Sequence, residues 1–248
     1  FEKKSWHGDA VVFSGVTDCY QPLEAEHRLT RQCLEVCLDY KNPVGIITKA
    51  PLVERDIDLL VELNKVTRVS VTISIPFWNK EIARAIEPYV ASPERRIHTI
   101  EKLASAGIRV GVSAAPLIPG LAEEEFPYVL KAARAAGATY AFYVLLRLPG
   151  AVKPVFEARI REALPLRAEK ILKRLTEAHD GKVYRSDFGT RQRGTGVYAT
   201  MIESLFKKTA RQLGYEADES NAMPRGYAPE LDSPTFERPK ERVQLKLF

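Results

Sequence analysis

The sequence predicts an α/β fold built on a parallel sheet, and three observations carry that prediction. Apolar runs rich in Val, Ile, Phe and Tyr recur five times between Ala10 and Leu146. Amphipathic stretches separate them. The repeat is roughly 30 residues, long enough for a strand–helix–strand crossover and far too long for a hairpin.

The elements follow in order. Ala10–Ser14 is the first strand, and it breaks into the small polar turn Ser14-Gly15-Val16-Thr17-Asp18. Glu24–Tyr40 carries Leu29, Cys33, Val36, Cys37 and Tyr40 on one stripe of an amphipathic helix. Pro43–Thr48 is a second buried strand, and Val53–Asn64 a second helix. Arg68–Ile75 (RVSVTISI) alternates as a third strand. Lys80–Ala106 reads as helix interrupted near Pro88 and Pro93. Ser92 suits the N-cap of the restarted helix, Pro93 its first position and Gly107 its end.

Ile108–Ala114 is the fourth strand, running into Ala115-Pro116-Leu117-Ile118-Pro119-Gly120. Glu123–Ala136 and Thr139–Leu146 add a helix and a fifth strand. Glu157–Ala178 and Tyr198–Leu213 look helical, joined by the polar stretch Asp180–Gly196. Beyond Gly214 the composition is polar and Pro-containing up to Glu241, which predicts a poorly structured tail. The chain thus divides into residues 1–178, a connector and helix over 179–222, and a tail over 223–248. The rhythm alone leaves both a barrel and a doubly wound sheet open. A buried strand with a site-forming loop is not expected to open its domain, so a segment is expected before Phe1.

Composition narrows the function classes. The net charge of +5 permits a polyanionic partner without requiring one. No apolar run approaches the length of a membrane span, so no membrane partner and a cytoplasmic location are expected. Three cysteines (Cys19, Cys33, Cys37) are too few for a disulfide framework, and Cys33 and Cys37 read as helix-core residues. His7, His27, His98 and His179 show no metal-ligand spacing, so no metal site is assigned to this chain.

In strand–helix repeats, function collects where strands end. The first loop offers hydroxyls and a carboxylate (Ser14, Thr17, Asp18), and the second strand ends in Thr48-Lys49. The third ends at Ser74, and the fourth at Ala115-Pro116, whose backbone could face a flat ligand. The set suits a small zwitterion or a nucleotide: the carboxylate receives an amine, and the hydroxyls and ammonium receive carboxylate and ribose oxygens.

The blocks VVFSGVTDCYQPLE, IITKAPLVERDIDLL, SIPFWNKEIARAIEP, SPERRIHTIEKLASAGI, VGVSAAPLIPGL and YVLLRLPG resemble the radical S-adenosylmethionine (radical SAM) proteins related to spore photoproduct lyase, often described as DNA-repair-photolyase-like. The resemblance runs from Trp6 to Gly214. It implies a partial (β/α)6 barrel lacking its first strand, with S-adenosylmethionine and a 4Fe-4S cluster as cofactors. It further implies lyase-like chemistry by a 5′-deoxyadenosyl radical that abstracts a substrate hydrogen. Carried onto this chain, Ser14, Gly15, Val16, Thr17 and Asp18 lie against the methionine end of SAM. Thr48, Lys49 and Ser74 contact its carboxylate or ribose, and Ala115 and Pro116 flank the adenine. Arg96 matches an arginine near the methionine moiety, a solvated helix charge being the other reading.

The family's CxxxCxxC cluster motif is expected upstream of Phe1, and without it the chain is not expected to perform the family chemistry. Gly15 stands where spore photoproduct lyases carry a hydrogen-donating cysteine, with Cys19 four residues later. No catalytic residue is therefore assigned.

Two further segments point to partners. Lys182–Arg193 is basic and aromatic, with Arg185, Arg191 and Arg193 suited to phosphates and Tyr184 and Phe188 to bases, and Lys207, Lys208 and Arg211 extend the charge. The terminal Gln244-Leu245-Lys246-Leu247-Phe248 resembles the QLxLF peptide that docks bacterial repair proteins on the sliding clamp, Lys246 departing from the usual third residue. Three readings stay open: a radical SAM enzyme acting on DNA or a nucleotide, one with another substrate, and a cluster-free nucleic-acid or clamp-binding protein that retains the barrel.

Overall fold

The computed structural model describes residues 1–14, 17–179, 193–216 and 235–239. Among the described residues five strands form one sheet: β1 (Val11–Phe13), β2 (Val44–Thr48), β3 (Val69–Ser74), β4 (Arg109–Leu117) and β5 (Tyr140–Leu145). All four pairings are parallel and the order is β1-β2-β3-β4-β5. A doubly wound sheet reverses its strand order at a switch point. This sheet does not, so the barrel-type order is the one realised.

The helices between the strands are α1 (Glu24–His27) and α2 (Leu29–Asp39), then a 3-10 turn (Pro51–Asp56) and α3 (Ile57–Val66). They continue with α4 (Lys80–Ile86), α5 (Pro93–Ser105) and α6 (Ala122–Ala135). After β5 come α7 (Val152–Ala163), α8 (Ala168–Glu177) and α9 (Gly196–Gln212). Among the described residues no helix is long and apolar enough to cross a membrane.

Alternation along the strands sorts two faces. Val71, Ile73, Val110, Val112, Tyr143 and Leu145 join the main core with helix residues such as Leu34, Leu63, Leu103 and Phe126. The opposite face carries Ser70, Thr72, Ser74, Gly111 and Ser113, with Tyr140 and Phe142 clustered beside Ile47 and Val144. Register places Thr72, Gly111 and Tyr140 in one row. A Cβ on Gly111 would lie 2.2 Å from Tyr140 Cε2, so only glycine admits the ring there.

Helix starts follow their caps. Ser92 Oγ accepts from Arg95 N at 3.2 Å, Pro93 follows at the first position, and Gly107 has the positive φ of 77° that ends α5. The first helix departs from its predicted stripe. Arg28 is left-handed (φ 54°) and splits it, and buried Glu24 accepts from Thr30 N at 3.0 Å and Arg31 N at 3.4 Å, capping α2. The break shifts the phase, so α2 buries Thr30, Leu34 and Cys37 while Leu29 and Cys33 are exposed. The long stretch after Glu157 is two helices, because Pro165 in the Leu164–Arg167 turn cannot continue one.

The described parts of the tail, residues 215–216 and 235–239, are docked. Tyr215 is buried with its hydroxyl donating to Leu130 O at 2.6 Å, and Glu216 N donates to Thr139 O at 2.9 Å. Phe236 stacks on Tyr40 (6.1 Å between centroids) and meets the edge of Phe1. Arg238 donates to the carbonyls of Phe1, Lys3 and Trp6. One aromatic residue inside a polar stretch supplies the apolar area that composition averages away.

Candidate functional site

The C-terminal ends of β1, β2 and β3 converge on a cluster of charges. Asp18 Oδ1 accepts from Thr48 Oγ1 at 2.7 Å and Tyr20 N at 2.9 Å, and its Oδ2 accepts from Lys49 N at 2.8 Å. Both oxygens are thus engaged by the protein. The carboxylate expected to receive a ligand amine staples the first loop to the end of β2. Thr48 is buried and also accepts from Ala50 N at 2.9 Å, so its hydroxyl shapes the turn.

Lys49 and Arg96 meet at Glu87. The Lys49 ammonium donates to one Glu87 carboxylate oxygen, and Arg96 Nη2 lies 3.1 Å from the other. Arg96 Nη1 donates to the carbonyl of Ser74 at 2.9 Å, at the tip of β3. The Arg96 side chain is only 3% exposed, which removes the reading of a solvated helix charge. Composition and spacing missed Glu87. Its only signal is an acid at a helix end beside Pro88, and the partners that give it meaning are 38 and 9 positions away.

Two buried polar atoms here have no hydrogen-bond partner among the described residues, Arg96 Nε and Ser113 Oγ. Ser113 pairs in register with Ser74, so the hydroxyls share a row at the same mouth. Buried polar groups are satisfied in the great majority of cases, and donors left over beside a lysine fit a polar ligand such as SAM. Ser14 and Thr17 are exposed at the end of β1, while Gly15 and Val16 lie outside the described residues.

Ala115 and Pro116 are half-buried, joined by a cis peptide bond. Sequence placed the end of β4 at Ala114, yet the strand runs on to Leu117. Pairing with β5 shifts register between Ala114 and Leu117, so the two residues sit at an irregularity where backbone groups leave the regular ladder. The following loop is held by Glu123, which accepts from Gly120 N at 3.0 Å and from the Tyr198 hydroxyl of α9.

The cysteines do not fit an iron–sulfur cluster, which needs thiolates close together. Burial, with Asp18 adding, pushes the Cys19 thiol up to about 12, and its Sγ donates to Phe13 O at 3.8 Å. Burial, with Cys33 adding, pushes Cys37 up to about 12 as well. Cys33 is on the exposed side of α2. No group of three or more His, Cys, Asp or Glu suited to a metal occurs among the described residues.

Of the nucleic-acid residues, Tyr184, Arg185, Phe188 and Arg191 lie outside the described residues, and Arg193 is half-buried just before α9. Lys207 pairs with Glu203 at 2.6 Å, and Lys208 and Arg211 are exposed on α9. Gln244, Leu245, Leu247 and Phe248 also lie outside the described residues.

Comparison with known proteins bears on the same region. The family model for the radical SAM superfamily matches residues 2–133. An uncharacterized protein of Mycobacterium tuberculosis is 29% identical over 165 residues, covering 66% of this chain and 48% of the relative. One from Methanocaldococcus jannaschii is 33% identical over 116 residues, covering 47% and 43%. The chain therefore spans less than half the length of these relatives.

Among solved structures, spore photoproduct lyase complexed with dinucleoside spore photoproduct superposes with a TM-score of 0.55 at 16% identity, covering 78% of this chain and 56% of that one. A double mutant of that lyase with bound AdoMet and the same dinucleoside gives a TM-score of 0.52 at 17% identity, covering 83% and 59%. At such identities the likeness is one of fold.

Proposed function

The chain belongs to the radical SAM superfamily, and from that premise we propose that it binds S-adenosylmethionine across the C-terminal ends of β1 to β4, as the SAM-orienting part of an enzyme acting on DNA. The observation that carries this reading is the buried Arg96 set beside Lys49 at the tips of β2 and β3. A buried guanidinium is costly unless paired; Glu87 and the Ser74 carbonyl pair Arg96, which leaves Lys49 as the cation a ligand can reach. In the proposal Lys49 and Ser74 take the methionine carboxylate or ribose oxygens. Ser113 adds a hydroxyl that sequence reasoning missed. Backbone groups of Ala115 and Pro116 face the adenine, and Asp18 and Thr48 hold the turn that aims Lys49.

SAM supplies this superfamily with the 5′-deoxyadenosyl group used for hydrogen abstraction. Cys19, Cys33 and Cys37 do not make the ligand set of the cluster that such chemistry needs, so this chain's own part is to bind and orient. DNA as the substrate class is supported by the net charge of +5 and by the dinucleoside ligand of the similar fold. The QLKLF terminus is offered as a sliding-clamp anchor for the same role.

Equilibrium dialysis tests the core of the proposal. SAM should bind one to one, S-adenosylhomocysteine should compete, and Lys49→Met should weaken both about tenfold or more, the loss expected for a charge-assisted contact. Absence of saturable SAM binding would overturn it. The DNA part predicts binding that falls steeply with salt, and a salt-independent signal would count against it.

A further inference from the structure

We propose that Glu87 is a built-in placeholder for a ligand carboxylate and so sets which ligands the mouth holds, an inference that rests on the SAM reading above. Glu87 directly follows α4, its side chain 12% exposed, with one oxygen on Lys49 and the other on Arg96. Arg96 is buried, with Nη1 on the Ser74 carbonyl and Nη2 on Glu87. A guanidinium so placed needs an anion when no ligand is bound, and Glu87 provides it. Lys49 differs: its side chain is 28% exposed, and its ammonium has three donors of which Glu87 takes one.

Two cations share the Glu87 carboxylate, while Asp18 at the same mouth is engaged by Thr48, Tyr20 N and Lys49 N, so the Lys49 ammonium is the cation open to one incoming carboxylate. A second carboxylate arriving beside Glu87 meets like-charge repulsion at hydrogen-bonding range. That repulsion outweighs the rotamer freedom of a single lysine. The ligand therefore binds by taking Lys49 over from Glu87, while Glu87 stays on Arg96. A cavity of about 350 Å³ borders Glu87, lined by Arg84, Pro88, Val90 and Ser92 among others.

The test is Glu87→Gln, which keeps the size and an acceptor for Arg96 but removes the charge. Three probes are dialysed against the unmodified chain and the variant: SAM, S-adenosylhomocysteine and 5′-methylthioadenosine, which lacks the amino-acid carboxylate. The variant should bind the first two about tenfold more tightly, as expected when like-charge repulsion is removed. The third should stay within about twofold, since it presents no carboxylate for Glu87 to repel.

Weaker binding of SAM and S-adenosylhomocysteine, with methylthioadenosine unchanged, would overturn the proposal and make Glu87 a prop for Lys49 or a host for the ligand amine. Equal shifts for all three would also overturn it. If the unmodified chain binds none of the probes, the SAM reading itself fails, a result visible before any variant is made. Should the Gln variant not fold, Glu87→Asp decides. Its shorter arm draws the carboxylate back from the incoming one, so SAM should tighten about threefold, a smaller gain because the repelling charge remains. Unchanged or weaker binding there sinks the idea.

Discussion

The two ends of one sheet are built from opposite materials. At the N-terminal ends of the strands, Phe1, Trp6, Tyr40 and Phe236 form an aromatic latch, and Trp6 Nε1 donates to Asn42 Oδ1 at 2.9 Å. The charges there are accessible: Arg109 and Glu216 are 30% and 51% exposed, with the guanidinium 4.3 Å over the Tyr140 ring. At the C-terminal ends the charges sink instead, Arg96 to 3% and Glu87 to 12% exposure. Exposed pairs contribute about 0–1 kcal/mol each and are easily tolerated, whereas buried ones are poor stabilisers compared with apolar packing. One end is therefore closed for stability, and the other keeps costly charge that the proposed SAM site would use.

That contrast can be broken by choosing variants at each end. Gly111→Ala should have the largest effect, about 3 kcal/mol of stability lost in urea titration, because the new methyl enters the Tyr140 ring. A loss under about 1 kcal/mol would mean that the lower end yields, contrary to a close-packed floor. Phe236→Ala should cost about 1–2 kcal/mol by removing a half-buried ring from the latch, while SAM affinity stays unchanged. A matching loss of SAM binding would show that the ends are not separable.

Acid should loosen the charged side before the latch. Burial opposes ionisation of Glu54, but hydrogen bonds from Arg95, Lys102 and Thr99 outweigh it and hold the carboxyl at about 2, below its ordinary 4.5. A lowered carboxylate pKa gives stability that is complete above the unfolded value and lost as pH falls from 4.5 through about 2. The two tryptophans report the ends separately, Trp6 in the latch and Trp78 just past β3. With Trp6→Phe isolating Trp78, its emission should change in this window before that of Trp6 in a Trp78→Phe variant. The reverse order would contradict the account.

The smallest effect concerns thiols. Alkylation at pH 8 should mark exposed Cys33 first and leave Cys19 and Cys37 largely unmodified in the folded chain. Rapid labelling of Cys19 would show a reactive thiolate at the mouth.

Much of this architecture is legible in the sequence, because strand and helix periods are local. RVSVTISI announces β3, and Ser92-Pro93 announces the start of α5. Lys49, Ser74 and Arg96 were reachable from their places at strand ends and from family likeness. Glu87 and Ser113 were not, since neither lies in a pattern of its own. Their roles come from register and from partners across the sheet. The phase error in α2 has a similar source, for Glu24 caps a helix that begins five residues after it. Pattern reading continues a helix through such a break, because the cap is tertiary in effect though close in sequence.

Hydrogen exchange with and without SAM tests most directly the claim that one end of the sheet binds and the other only holds. Added SAM should slow exchange in peptides covering Asp18–Tyr20, Thr48–Ala50, Ser74–Ile75 and Ser113–Ala115. Peptides covering Phe1–Trp6, Tyr40–Asn42 and Tyr215–Glu216 should be unaffected. Protection at the latch, or none at the strand ends, would contradict the account.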